Sequence, residues 1–196
     1  MGGSNVKSIK RWLMTTNHKD VGILYLVTSL YFFIVAGTLA LLFRIQLAVP
    51  ENQFLDAARF NQAITNHGLL MVFWFLSPLG FAFANYVVPI QLGAKDMAYP
   101  RLNALSYWLL LFGGLLMLAG FFAPGGTGDF GWTIYAPLNT DEFTPNPGAN
   151  LMAFGLLFMI ASVTVGTANF VVTISQLRAK EVRPSGSAGK GLGYTR

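Results

Sequence analysis

The 196-residue sequence contains no cysteine, and it is poor in charge. The absence of cysteine excludes disulfides and thiolate metal sites within the chain. Asp, Glu, Lys and Arg make up 11% of the residues, whereas a soluble domain has roughly 25%. Apolar residues make up 54%. This composition indicates a protein that lies in lipid.

Stretches without any charged residue occur four times, at residues 21–43, 60–94, 102–128 and 143–177. Each exceeds the ~20 residues that a helix needs to cross ~30 Å of hydrocarbon. The sequence therefore predicts an all-α integral membrane bundle of four transmembrane helices. No small-residue cleavage site follows the first stretch, so we expect it to be retained rather than removed as a signal peptide.

The distribution of Lys and Arg predicts the orientation of the chain. Eleven of these 13 residues precede the first stretch, separate the second from the third, or follow the fourth. Only Arg44 and Arg59 lie on the other side, so the positive-inside rule places both termini in the cytoplasm. The net charge of +5 thus reflects orientation and not binding to nucleic acid. We predict a cytoplasmic N-terminal segment (residues 1–20), a four-span part (21–177) and a flexible, basic, Gly/Ser-rich tail (178–196).

Several positions predict local features of the helices. Asp20 is a plausible N-cap of the first span, and Pro78 predicts a kink or a change of register in the second. Small and polar residues recur along one face of the fourth span, a pattern typical of close helix packing. The members of this stripe are Gly155, Ser162, Gly166, Asn169 and Thr173.

His67 is the only histidine within the predicted spans, about one turn below the outer surface. Ionisable residues inside membranes are costly, so such a residue is a candidate for function. Its imidazole can ligate a heme iron, hold a proton, or hydrogen-bond a neighbouring helix. The residues alone leave these three roles open. They also leave open whether Arg44 only extends to the lipid headgroups and whether Trp132 only belongs to an interfacial aromatic belt.

Three amides are expected in the cytoplasmic third of the bundle: Asn85, Asn103 and Asn169. Asp96 lies in the loop below them. A carboxylate at the water surface beneath hydrogen-bonding groups suits a proton entrance, because such groups hold water where hydrocarbon does not. The alternative is ordinary hydrogen bonding between helices, with Asp96 solvated in its loop.

Seven segments closely resemble subunit I of the heme-copper oxidases of the cytochrome c oxidase type. Together the resemblance covers about residues 11–178. The segments are residues 15–26, 41–44, 66–73, 85–89, 93–103, 131–135 and 167–170, among them Asn-His-Gly-Leu-Leu-Met-Val-Phe around His67 and Gly-Ala-Lys-Asp-Met-Ala-Tyr-Pro-Arg-Leu-Asn around Asp96.

The resemblance implies cofactor-binding roles for three residues. His67 resembles one axial ligand of a low-spin heme of the heme A type, and Arg44 the arginine that hydrogen-bonds the formyl group of that heme. Trp132 resembles the tryptophan beside the heme propionates. The resemblance also implies a D-pathway for protons, with Asp96 as its first acid. Its further members would be Asn85, Asn103 and Asn169 as an asparagine gate, with Tyr25 and Ser162 as groups that hold water.

Departures from the family pattern accompany these matches. The interval from His67 to Asn85 is one residue shorter than in mitochondrial-type sequences, which predicts a register change near Pro78. Gln46 stands where some members place a carboxylate for an outer sodium or calcium ion. The family's subunit has about twelve spans, so the second low-spin ligand, the high-spin heme ligand and the copper B ligands would have to come from helices beyond these four.

The sequence therefore predicts part of the catalytic subunit of a proton-pumping terminal oxidase, which passes electrons from cytochrome c or another donor to oxygen. Expected partners are the remaining helices of subunit I, subunit II with its copper centre, subunit III and the lipid of a prokaryotic plasma membrane or mitochondrial inner membrane. Two alternatives remain: a heme-free scaffold or assembly module derived from the oxidase, and a relative of nitric oxide reductase.

Overall fold

The computed structural model describes residues 10–179, and within them the chain forms four long helices. They are α1 (His18–Gln46), α2 (Ala57–Leu92), α3 (Pro100–Phe122) and α4 (Pro147–Gln176). With 23 to 36 residues each, all four are long enough to cross a membrane. No β-strand occurs between residues 10 and 179. The predicted all-α bundle with four spans is confirmed. The predicted flexible tail lies outside the described residues from position 180 onward.

Helix α1 begins earlier than the sequence predicts, and its cap is a different residue. Asn17 has an extended backbone, and its side-chain oxygen accepts a hydrogen bond from the backbone N–H of Lys19 (2.9 Å). Asp20 already lies within the first helical turn. Its carboxylate pairs with Arg11 (2.8 Å) and accepts a hydrogen bond from Thr15 (3.0 Å). The prediction that Asp20 caps the helix is wrong, because a cap must lie outside the helical backbone.

Helix α2 changes its hydrogen-bonding pattern in the middle. Leu70–Leu76 form a π-helical segment, after which the N–H of Ser77 bonds to the carbonyl of Val72, five residues back. Pro78 follows directly. Proline has no N–H, and in a regular helix its ring clashes with the carbonyl four residues before it. A wider turn before the proline relieves this conflict and shifts the register. The irregularity predicted near Pro78 therefore occupies the seven residues that precede Ser77.

Helices α3 and α4 approach closely where both carry glycine. A Cβ atom on Gly155 would lie 2.6 Å from the carbonyl oxygen of Gly113, and one on Gly113 would lie 2.8 Å from the carbonyl oxygen of Gly155. Any side chain at either position would push the helices apart. The small residues of the predicted stripe therefore allow α4 to pack closely against α3. All members of the stripe are buried: Gly155, Ser162, Gly166, Asn169 and Thr173.

Aromatic side chains fill the centre of the bundle. Phe32 and Trp74 are fully buried with ring centroids 6.3 Å apart, and Gly114 of α3 leaves room for both rings. The indole N–H of Trp74 donates to the carbonyl of Leu110 (3.1 Å), so its polar atom is satisfied. Within the apolar windows only 22% to 39% of residues are buried inside the chain. Most of the apolar surface is therefore available to lipid or to further helices.

The loop between α3 and α4 folds back over the first half of α2. The backbone N–H of Gly131 donates to the hydroxyl of Thr65 (2.9 Å). Gly131 has a φ of +81°, in the left-handed region that favours glycine. The next residue, Trp132, packs on Gly68, where an added Cβ would lie 2.9 Å from the Cβ of the tryptophan. The loop thus covers the helix immediately beside His67.

Candidate functional site

His67 lies on α2, three residues before the π-helical segment, and its side chain is half-buried. Its Nδ1 lies 2.9 Å from the carbonyl oxygen of Ala36 on α1. Because a carbonyl oxygen only accepts, Nδ1 carries a proton, and in the neutral imidazole Nε2 then keeps a free lone pair. Metal-ligating histidines typically donate their second ring nitrogen to a carbonyl in this way. The interhelical hydrogen bond and the ligand role use different nitrogens, so the two are compatible.

The surroundings of His67 are aromatic on one side and open on another. Phe43 of α1 meets its ring edge to face, with centroids 5.5 Å apart. Trp132 packs on the adjacent Gly68. Gly37 follows Ala36, and a Cβ atom there would meet no atom within 4 Å. The surface of α1 next to the His67 partner is therefore open at this position.

Arg44 and Trp132 differ in how closely the structure joins them to His67. Arg44 follows Phe43 in the last turn of α1, is exposed, and its side chain forms no hydrogen bond or ion pair within residues 10–179. Trp132 is 51% exposed although it packs on Gly68. The loop therefore brings Trp132 to the neighbour of His67, whereas no polar contact within residues 10–179 joins Arg44 to His67.

Asn85 of α2 and Asn103 of α3 form a buried amide pair. The Nδ2 of Asn103 donates to the Oδ1 of Asn85 (2.6 Å), and the Nδ2 of Asn85 donates to the carbonyl of Phe81 in its own helix (2.9 Å). Both side chains are fully buried. The Oδ1 of Asn103 has no hydrogen-bond partner among the described residues. A buried acceptor left unpaired costs roughly 1–3 kcal/mol, so this oxygen is suited to accept a hydrogen bond from water.

Hydroxyl groups continue the polar line from the amide pair toward the bundle centre. The hydroxyl of Ser106 donates to the carbonyl of Asn103 (2.8 Å) and lies 2.8 Å from the hydroxyl of Tyr25, which donates to it. Ser162 of α4 donates to the carbonyl of Ser106 (2.6 Å). The structure thus brings together four predicted site residues, Tyr25, Asn85, Asn103 and Ser162. Ser106, which links them, was not predicted, although it lies three residues after Asn103 and therefore on the same helix face.

Asn169 is separate from the amide pair. Its Oδ1 accepts from the backbone N–H of Tyr99 (2.9 Å) and its Nδ2 donates to the carbonyl of the same residue (3.1 Å). Thr173, one turn later, accepts from the N–H of Ala98 (3.0 Å). Helix α4 therefore fixes the loop that carries Asp96. The carboxylate of Asp96 is partly exposed and forms no ion pair within residues 10–179. The three asparagines do not form a single hydrogen-bonded group.

His18 is a second buried polar residue beside the amide pair that the sequence interpretation missed. It is the first residue of α1, only 3% exposed, and its Nδ1 lies 2.8 Å from the carbonyl oxygen of Asn85. Helix α1 begins at His18 and not at residue 21, so His67 is not the only histidine within the four long helices. The two histidines lie far apart, since Ala36, the partner of His67, is 18 residues or about 27 Å along α1 from His18.

Gln46 closes the loop between α1 and α2 with its amide group. The Nε2 donates to the carbonyl of Asn52, and the Oε1 accepts from the N–H of Leu55 (2.6 Å). Asn52 in turn donates to the carbonyl of Ile45 (2.8 Å). Both ends of the Gln46 amide are therefore engaged by backbone groups, and the donor set does not fit a cation site. No group of three or more His, Cys, Asp or Glu side chains that could hold a metal ion occurs in the part of the chain that the structure describes.

The chain is similar to a family model and to several known proteins. A family model described as Cytochrome C and Quinol oxidase polypeptide I matches residues 20–185. A heme-copper oxidase subunit I+III from Aeropyrum pernix is 54% identical over 171 residues, which are 87% of this chain and 21% of that protein. A putative cytochrome c oxidase subunit 1-beta from Streptomyces coelicolor is 48% identical over 173 residues, 88% of this chain and 30% of that protein.

A further relative is the cytochrome c oxidase subunit 1 of Corynebacterium glutamicum, 43% identical over 175 residues. That match covers 88% of this chain and 30% of the relative. The chain thus spans between about a fifth and a third of the length of these relatives.

Proposed function

The chain belongs to the polypeptide I family of cytochrome c and quinol oxidases, and on that premise we propose that it forms part of a proton-pumping terminal oxidase. It supplies one axial ligand of the low-spin heme and contains the proton entrance. In the complete enzyme, this heme would receive electrons from cytochrome c or another donor by way of the copper centre of subunit II. The chemistry served would be the reduction of oxygen to water at a centre that other helices hold.

The observation that carries the proposal is the hydrogen bond from the Nδ1 of His67 to Ala36 (2.9 Å). This bond fixes the tautomer of His67 and leaves the basic Nε2 pointing away from Ala36, as a histidine ligand of iron requires. Arg44 and Trp132 would help to hold the heme, Arg44 by a hydrogen bond from its exposed guanidinium and Trp132 by contact from the loop that covers α2. When bound, the heme supplies reversible one-electron transfer. The second ligand of this heme and the ligands of the high-spin heme and copper B would come from other helices of the complete enzyme.

On the proton side, the chain's own residues supply a path from water to the bundle centre. Asp96 takes up a proton at the surface to which the positive-inside rule assigns the inner side. The free Oδ1 of Asn103 and the hydroxyls of Tyr25 and Ser162 hold water above it. Asn169 contributes by fixing the Asp96 loop to α4.

The proposed location is a prokaryotic plasma membrane or the mitochondrial inner membrane, with both chain ends on the inner side. Four apolar helices support a membrane location in general. The remaining helices of subunit I cover the exposed apolar surface of the bundle. The relative named subunit I+III supports an association with subunit III.

Oxygen consumption by the purified complex in sealed vesicles tests the proposed function. Addition of a reduced donor on the outside should start oxygen consumption together with acidification of the outer medium. A complex that contains heme but neither consumes oxygen nor moves protons would contradict the proposal.

Replacing Arg44 with methionine should shift the visible band of the low-spin heme while the heme stays bound. The change removes a hydrogen bond to the edge of the macrocycle and leaves the His67 ligand intact. Arg59→Met is a matched control, because Arg59 is also exposed near the same predicted membrane surface, and within residues 10–179 its one ion pair is with Asp56 (3.4 Å). A reduced-minus-oxidised spectrum measures both variants. Equal band positions in Arg44→Met and wild type would mean that Arg44 only reaches the headgroups.

A further inference from the structure

The carbonyl group of Asn85 lacks its normal partner in helix α2. In an α-helix the carbonyl of each residue accepts from the N–H four residues later. For Asn85 that residue is Pro89, which lies inside the helix and has no N–H. A buried carbonyl without a partner costs free energy, so a donor from elsewhere is needed.

His18 supplies this donor from helix α1. Its Nδ1 lies 2.8 Å from the Asn85 oxygen, and because the carbonyl only accepts, Nδ1 must carry the proton. One turn later on the same face, Gly22 lets α1 approach: an added Cβ would lie 3.0 Å from the carbonyl oxygen of Ala82 and 3.4 Å from the Cβ of Asn85. His18 and Asn85 are both buried, so little water competes for the bond.

We propose that His18 is a positioning residue for proton uptake, which holds the backbone of Asn85 in place of the missing N–H of Pro89. The inference rests on the proposed proton path. The backbone of Asn85 carries the side chain whose Oδ1 accepts from Asn103 (2.6 Å), and that bond orients the free Oδ1 of Asn103. A shift of α2 at Asn85 therefore moves the water-binding oxygen, although His18 itself touches neither the proton nor the water.

The first test replaces His18 with leucine in the complete oxidase. Misplacement of a reacting group by about 1 Å can cost as much as a hundredfold in rate, and we expect turnover per heme to fall at least tenfold, with an unchanged low-spin spectrum. Ser29→Ala is the matched control. Ser29 is a fully buried polar residue of α1, and among residues 10–179 its hydroxyl bonds only to a carbonyl of its own helix, that of Leu26 (2.8 Å). Its turnover should stay within about twofold of wild type.

The decisive test adds Pro89→Ala to His18→Leu. Alanine restores an N–H four residues after Asn85, so the helix can satisfy the carbonyl itself. We expect the double variant to regain most of the turnover lost in His18→Leu. His18→Asn should retain more activity than His18→Gln, because an asparagine amide reaches the position of Nδ1 and a glutamine amide that of Nε2. If His18→Leu does not assemble, the amount of assembled oxidase is measured instead. Its recovery in the double variant tests the same coupling between His18 and Pro89.

Asn85→Leu in the same series separates failure of this inference from failure of the proposed function. If Asn85→Leu lowers turnover but Pro89→Ala restores nothing to His18→Leu, the positioning role is overturned and the proton path stands. If Asn85→Leu keeps wild-type turnover, the proton path through the amide pair fails, and the positioning role fails with it.

Discussion

Replacing His67 with alanine should remove the low-spin heme from the assembled oxidase. The variant loses the Nε2 that faces away from Ala36, and the hydrocarbon around α2 offers no substitute ligand. The second histidine of the chain, His18, lies about 27 Å away along α1 from the Ala36 contact and is bonded to Asn85. We therefore expect complete loss of the low-spin bands from the reduced-minus-oxidised spectrum, and no oxygen consumption with cytochrome c or another donor.

The control for this prediction is Ile64→Ala. Ile64 lies one turn before His67 on α2 and is partly exposed, so its truncation tests whether a smaller side chain in this turn disturbs heme uptake by itself. Normal heme bands in Ile64→Ala together with their absence in His67→Ala would support the ligand role. Low-spin bands of wild-type intensity in the assembled His67→Ala oxidase would refute it, and His67 would then serve only as a hydrogen-bond donor between α2 and α1.

The change Asp96→Asn should leave the heme spectra normal and make proton uptake rate-limiting. Asparagine preserves the shape of the side chain but cannot be ionised, and the loop keeps its bonds to Asn169 and Thr173. Groups that transfer protons typically contribute 10²–10⁴-fold to a rate. We expect steady-state oxygen consumption per heme to fall by about a hundredfold and proton pumping to be lost. Oxygen consumption and acidification in reconstituted vesicles measure both effects.

Asp141→Asn is the matched control for the Asp96 variant. Asp141 is an exposed carboxylate in the loop between α3 and α4, on the opposite side of the predicted membrane. Its replacement should leave turnover and pumping unchanged. A purely structural role for Asp96 predicts a different pattern, with poor assembly and proportionate heme loss but normal turnover per remaining heme. Wild-type turnover and pumping in Asp96→Asn would exclude proton uptake at this residue.

The four spans could be predicted from the sequence because an uncharged, apolar stretch of this length is typical of a transmembrane helix. The helix ends were harder to place. Asn17 and Asp20 are both good capping residues, and only the backbone distinguishes them: Asn17 is extended, while Asp20 is helical and pairs with Arg11. The register change in α2 was predicted at Pro78, but the sequence did not indicate that it takes the form of a π segment over Leu70–Leu76.

The candidate site shows the same division between residue type and geometry. Asn85 and Asn103 were predicted from their polarity within apolar helices, and the structure joins them directly at 2.6 Å. Asn169 was predicted for the same reason, yet it bonds to the backbone of Tyr99, because α4 contacts the Asp96 loop at this residue. Polarity indicates that a buried amide needs partners, but it does not indicate which ones.

His18 was missed because the residues that create the need for its hydrogen bond, Asn85 and Pro89, lie in a different helix. The spacing of Asn85 and Pro89 already predicts a carbonyl without a helix donor. The sequence does not tell which side chain supplies the bond, since that depends on how closely α1 approaches at Gly22. Likewise, the bond between His67 and Ala36 joins residues 31 positions apart. Contacts of this kind follow from the packing of helices and not from patterns within one helix.

The reduced-minus-oxidised visible spectrum of the purified complex that contains this chain tests the central claim most directly. The account predicts low-spin heme bands in the wild type, their complete loss in His67→Ala, and their displacement without loss in Arg44→Met. These two variants alter the proposed ligand and the proposed hydrogen-bond donor separately, so the pattern distinguishes their roles. A wild-type complex without low-spin heme bands would contradict the account and would favour a heme-free scaffold derived from the oxidase.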